Sequence, residues 1–251
     1  MLIRLIFIFC ITIPAYAYNL TQDFTNGFYW ASLPVKFIIK ESDPARKELL
    51  TKLTEAAIKQ WEEETGLAIW ELALEGTGNI IRWSSNFGAE TRMDPASVLA
   101  VAIRYTDGPY FAKSEIIING THSAFNSMFD STNNMNIGTT LVHELGHTMG
   151  IDHSEVSEAV MAPTLQYPYT GLHTDDLDGM TDAFAQTEKR QTTRYVSPLA
   201  YSEETKSTQA LNCGSTGPAT GGMSANAFLS LVSGLLISFV RKLTKWFKSL
   251  F

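Results

Sequence analysis

Between positions 44 and 66, apolar residues recur at three- and four-residue spacing: Leu49, Leu50, Leu53, Ala57 and Trp61, with charged residues between them. That is the period of a helix with one buried face. Asp43-Pro44 supplies an N-cap followed by proline at the first helical position, and Gly66 supplies the stop, so a helix of about five turns is predicted. Runs 35–40, 67–74, 79–84, 98–106 and 115–119 are β-rich, short and bounded by turn residues, and read as strands. Residues 120–136, rich in Asn, Ser and Thr, read as a long loop. A second helical pattern then runs to Met149, with Asn136 or Thr139 placed to cap it. A last helix is predicted from an N-cap at Thr174 to Gln186, its aspartates at the favourable end of the dipole. No internal repeat interrupts this order.

The second helical pattern carries the chemistry: His143-Glu-Leu-Gly-His147-Thr-Met-Gly150-Ile-Asp-His153, which holds three of the five histidines of the chain. At about 3.6 residues per turn, His143 and His147 share a helix face and can reach one metal ion. Glu144 lies beside them, placed to polarise a metal-bound water. Gly150 can end the helix in a left-handed conformation, so that His153 turns back as a third ligand. Three protein ligands and an open position describe a catalytic zinc site. A bare His-Glu-x-x-His turns up by chance in roughly 1 in 100 chains of this length, and requiring Gly150 and His153 lowers that about 1,000-fold.

The segment resembles the zinc-binding signature of the metzincin metalloproteases. Val160-Met161-Ala162-Pro163 follows at a suitable distance, so Met161 is similar to the methionine of their turn beneath the metal. Ser154 after the third histidine, the Met-x-Pro pattern and Thr174-Asp-Asp-Leu-Asp-Gly179 are similar to the matrixins, the matrix-metalloproteinase family. The resemblance covers most of residues 28–187, strongly over 137–180. It implies an α+β fold of the metzincin α/β type: a twisted, mostly parallel mixed sheet with two long helices, one of them the active-site helix. The methionine turn and a C-terminal helix then lie in a small lower subdomain. It further implies a zinc endopeptidase acting on polypeptides, with His143, His147 and His153 as ligands and Glu144 as general base. Leu99 and Ala100 would line the cleft rim on an edge strand over 98–104, and Pro163 and Leu165 the wall of the pocket beside the zinc, where a leucine stands in place of the family's aromatic.

The ends of the chain read differently. Arg4, an apolar run over 5–13, Pro14 and Ala15-Tyr-Ala17 have the form of a cleaved secretory signal, 1–17. The catalytic domain is then 18–190, and 191–222, rich in Ser, Thr, Gly and Pro, reads as a flexible linker. Residues 223–240 carry no charge and are followed by Arg241, Lys242, Lys245 and Lys248. Segment 223–251 therefore reads either as a membrane-spanning helix with a cytoplasmic basic flank or as something similar to a bacterial C-terminal sorting signal. Both imply an exported protein, periplasmic or at the cell surface. Once Cys10 leaves with the signal, Cys213 is the remaining cysteine and no intramolecular disulfide can form.

Residues 18–200 hold 13 Lys+Arg against 24 Asp+Glu, a formal net charge of −11. So acidic a body argues against nucleic acid as a partner and is compatible with calcium, which stays unassigned. Region 107–125 lacks the histidine- and aspartate-rich pattern of the vertebrate matrixins, so one zinc is expected, and His122 and His173 are read as ordinary hydrogen-bonded residues. A monomeric catalytic domain is expected. The competing readings are a catalytically silent zinc-binding or adhesion module on the same scaffold, which has no use for Glu144, and a zinc hydrolase of small amides.

Overall fold

A computed structural model describes residues 18–76, 78–125, 131–165 and 170–202, with 131–135 through their backbone. The chain divides into two units, Met1–Pro218 and Ala219–Phe251. The second unit, the expected signal 1–17 and the expected tail segment 223–251 lie outside the described residues. Among the described residues no helix is long and apolar enough to cross a membrane.

In chain order the elements are α1 (Gln22–Thr25), β1 (Tyr29–Trp30), β2 (Val35–Ile39), α2 (Pro44–Thr65), β3 (Trp70–Leu72), β4 (Ile80–Ser84), α3 (Phe87–Thr91), β5 (Ala100–Asp107) and β6 (Tyr110–Asn119). A 3-10 turn at Ser123–Phe125, α4 (Ser131–Met149) and α5 (Thr174–Thr193) complete it. One mixed sheet takes all six strands. β3, β2, β4 and β6 run parallel side by side, and β1 pairs in parallel with the start of β6. β5 runs antiparallel along the other side of β6, with an irregularity between Tyr105 and Thr106. The α+β architecture and the mostly parallel mixed sheet are those the metzincin resemblance implies.

Alternation along the strands sorts side chains between two cores. Ile116 and Ile118 of β6 and Ile81 of β4 face the main core, shared with Leu50, Ala57 and Trp61 of α2 and Leu141 and Leu145 of α4. Ile117 turns to the other face and packs with Val101 of β5 and Phe87 of α3. The helix α2 begins as its sequence dictates: Asp43 accepts a hydrogen bond from the Arg46 N–H at 2.8 Å, and Gly66 ends it at φ +72°. Helix α4 is hung from three indoles. Trp61 Nε1 donates to Val142 O at 2.9 Å, Trp30 Nε1 to Thr148 O at 2.8 Å and Trp70 Nε1 to Thr148 Oγ1 at 2.9 Å. A buried indole N–H needs an acceptor, and these find theirs on the helix that carries the histidines.

Several boundaries differ from the sequence reading. Helix α4 begins at Ser131, not at Asn136 or Thr139, because helical backbone extends through residues that lack an apolar period. The N-cap of α5 is His173 rather than Thr174: its Nδ1 accepts from Asp175 N, while Asp176 at N3 accepts from His173 N. Helix α5 continues past Gln186 to Thr193. The residues after it pack back on the body, with Tyr29 Oη donating to Tyr195 O at 2.9 Å, Ser197 Oγ to Asn26 O at 2.5 Å, and Ala200 buried. Arg190 of α5 reaches the same region, its Nη1 donating to the carbonyls of Phe24 and Phe28.

Candidate metal centre

His143 and His147 stand one turn apart on α4, both fully buried. The helix stops at Gly150, whose φ of +105° is costly for any residue with a Cβ and whose Cβ position would in any case meet the Phe24 ring at 2.5 Å. The chain turns there and returns His153. Ring centroids lie 4.5 Å apart for His143 and His147, 5.4 Å for His143 and His153, and 5.0 Å for His147 and His153. One ring nitrogen from each falls within 4.8 Å of the others.

The hydrogen bonds fix which nitrogens are free. His143 Nδ1 lies 2.6 Å from Val160 O and His147 Nδ1 2.8 Å from Ile151 O. A carbonyl only accepts, so both Nδ1 atoms carry the proton and both Nε2 atoms present lone pairs. Those two Nε2 atoms face each other at 2.9 Å. Two acceptors at that distance repel unless a cation lies between them or one ring takes up a proton, and protonation is disfavoured. Burial, and next the neighbouring His153, push His143 down to about 3 against the pull of the Val160 carbonyl. Burial, with the other two histidines adding to it, holds His147 well below the usual imidazole value, and burial lowers His153 against the charge of Asp152. His153 Nε2 is buried without a hydrogen-bond partner. Two inward lone pairs and a third, partnerless ring nitrogen on His153 fit a divalent metal of the kind that takes nitrogen ligands.

Glu144 follows His143 on α4 and is fully buried. Met161 is likewise buried, and a Cβ on Gly146, the residue before His147, would overlap its sulfur. The methionine turn thus lies directly under the ligand-bearing stretch of the helix. Its clamp is a residue the sequence reading did not single out. Asp176 of α5, fully buried, accepts from Val160 N at 2.9 Å, Met161 N at 3.0 Å and His173 N at 2.7 Å. Since Val160 O in turn receives His143 Nδ1–H, one carboxylate on α5 fixes the orientation of the His143 ring on α4 through a single peptide unit. Burial raises the Asp176 pKa while the three N–H donors pull it down. Ser154 extends the same staple, its hydroxyl donating to Asp175 Oδ2 at 2.5 Å and its N–H to Met161 O at 2.9 Å.

The remaining residues of interest fall as follows. Leu99 and Ala100 are fully buried. Leu99 O accepts from Asn119 N of β6 at 2.9 Å, so by strand alternation the Ala100 N–H and C=O point away from β6. Pro163 is exposed, and Leu165 is buried in the main core cluster. His122 Nδ1 accepts from Ala124 N, and His173 caps α5.

A pair of imidazoles on a helix, a third after a glycine turn and a methionine turn beneath them make this a metzincin. More narrowly, the matrixin (peptidase M10) family profile matches residues 29–185, more than half of the chain, and the chain belongs to that family. It is similar to matrilysin of Rattus norvegicus, 28% identical over 174 residues that make up 65% of this chain and 59% of that protein. It is also similar to metalloendoproteinase 1 of Glycine max (32% identical, 49% of this chain, 42% of that protein). Stromelysin-3 of Xenopus laevis is 34% identical over 49% of this chain and 25% of that protein. The chain spans less than two thirds of the length of each of these relatives.

Proposed function

We propose that the chain is a zinc-dependent endopeptidase. The observation that carries this reading is the convergence of three imidazoles, two of them fully buried, within 4.8 Å of one another, with the buried Glu144 next to His143 on the same helix. Its support from relatives is that proteins named metalloendoproteinase and matrix metalloproteinase align with it. Zinc bound there would act as a Lewis acid towards a scissile carbonyl and acidify a water. The chain's own residues do the rest. His143, His147 and His153 would hold the ion, and the carbonyls of Val160 and Ile151 keep two of the rings in the tautomer that ligation needs. Glu144 takes the proton of the attacking water on a carboxylate oxygen and delivers it to the leaving amine. Met161 packs beneath as an apolar floor.

An extended polypeptide would lie along β5, a mode that reads backbone rather than sequence. The buried side chains of Leu99 and Ala100 would shape that rim from behind, while Pro163 would touch substrate and Leu165 set the pocket wall from within. Export with loss of 1–17 and attachment through 223–251 belong to the same proposal, and mass spectrometry of the mature protein tests both.

The decisive assay uses purified chain on an unfolded protein substrate. Cleavage is expected to stop with a chelator and return with zinc. Glu144→Gln is expected to retain zinc and lose about 10²- to 10⁴-fold in kcat, the usual worth of a general base. Zinc held without turnover of any peptide would instead assign the chain as a silent zinc-binding module.

A further inference from the structure

The three imidazoles are not held alike. The rings of His143 and His147 stand on a long helix, and each is locked by its own Nδ1 hydrogen bond. The ring of His153 lies beyond the helix end and makes no hydrogen bond to any described residue, its Nε2 being buried and partnerless. What is held is its backbone, and the holder comes from the other end of the body. Asn19 Nδ2 donates to His153 O at 3.0 Å. Asp152 N donates to Asn19 O at 2.8 Å, Leu20 bridges Ile151 in antiparallel fashion, and Thr21 N donates to Gly150 O at 2.9 Å. Residues 19–21 thus form a short strand against 150–153. This strand is itself anchored. The Thr21 hydroxyl donates to Asp23 Oδ1 at 2.6 Å and accepts from Arg104 Nη2 at 2.6 Å. Asp23 forms a buried, two-pronged ion pair with Arg104 of β5 at 2.9 and 2.6 Å.

We propose that residues 19–23 are the positioning segment for the third metal ligand, and that they set how tightly the chain keeps its zinc. Two ligands come prearranged by the helix; the third is prearranged by this segment, and without it the turn must be ordered at the cost of metal affinity. Trimming of the chain through Thr21 would therefore release metal without touching a ligand. The inference rests on the zinc reading of the centre and adds a residue set that no ligand motif contains.

The test measures zinc affinity by chelator competition on the full chain, independently of turnover. Asn19→Ala is expected to weaken zinc about 10-fold. Thr21→Pro is expected to do at least as much, because Thr21 already sits at φ −63° and ψ 153°, so proline fits the backbone and removes the N–H that holds Gly150. Thr21→Val, which keeps that N–H, separates the loss of the backbone bond from the loss of the hydroxyl and is expected to be the milder of the two. In a His153→Ala background Asn19→Ala should have no further effect, since the positioned ligand is gone. Ile81→Val, a truncation in the main core, lowers stability without touching the segment and should leave zinc affinity at the parent value. Parent-like affinity in both Asn19→Ala and Thr21→Pro, or an equal loss in Ile81→Val, overturns the proposal while leaving the zinc reading intact. A parent chain that binds no zinc overturns both.

Discussion

Gly146 stands between His143 and His147, and its missing Cβ is what lets the Met161 sulfur come up under the helix. A residue without a side chain thereby sets how closely the methionine turn approaches the helix. Asp23 shows the opposite economy, a single charge with many contacts. Burial alone would raise its pKa, but the Arg104 charge and hydrogen bonds from Arg104, Thr21 and the Phe24 N–H outweigh burial and leave it below the ordinary carboxylate value. The unfolded chain titrates this group near about 3.9. Stability contributed by the pair is complete above that value and is lost as pH falls through the lower folded-state pKa. Asp23→Asn is expected to cost about 3–5 kcal/mol at pH 7, since a buried guanidinium loses its counter-charge. The difference from the parent should shrink below about pH 4, where the carboxyl of the unfolded parent chain takes up a proton before that of the folded one, as urea midpoints measured across pH would show.

Among elements, α5 acts on the metal centre at one remove, because Asp176 holds the turn whose carbonyl orients His143. Asparagine there keeps the size but points an N–H₂ at backbone donors. Asp176→Asn is expected to destabilise the fold by about 2–3 kcal/mol and to weaken zinc, with calorimetry reporting the first and chelator competition the second. The convergence of the three imidazoles was legible in sequence because an i, i+4 pair on a helix and a glycine stop are local rules, as were the Asp43 cap and the Gly66 end of α2. Asp176 was not, since an acidic residue at the start of a helix already has a sufficient local explanation in the dipole. The two-residue strand β1, the start of β6 at Tyr110 and the indole anchors of α4 also escaped, because each exists through partners distant in the chain. Strand β5 lay between these cases: 98–106 reads as a strand, but which neighbour it pairs with is fixed by β6 alone.

For the molecule as a whole, the stretch after α5 returns to the region where the described chain starts. Ser197 meets Asn26, Tyr195 meets Tyr29, and Arg190 spans the carbonyls of Phe24 and Phe28. Segments close to both ends of the described chain are thus held side by side, and a chain so held can be cut elsewhere. A circular permutant that joins Ser202 to Tyr18 through a Gly/Ser bridge of about 15 residues, reaching up to roughly 50 Å, and that reopens at the exposed Glu75-Gly76 turn between β3 and β4, should fold and load zinc like the original order. Failure of that rearranged chain to fold would mean that the order of synthesis, and not the set of contacts alone, is needed to bring the first and last described segments together.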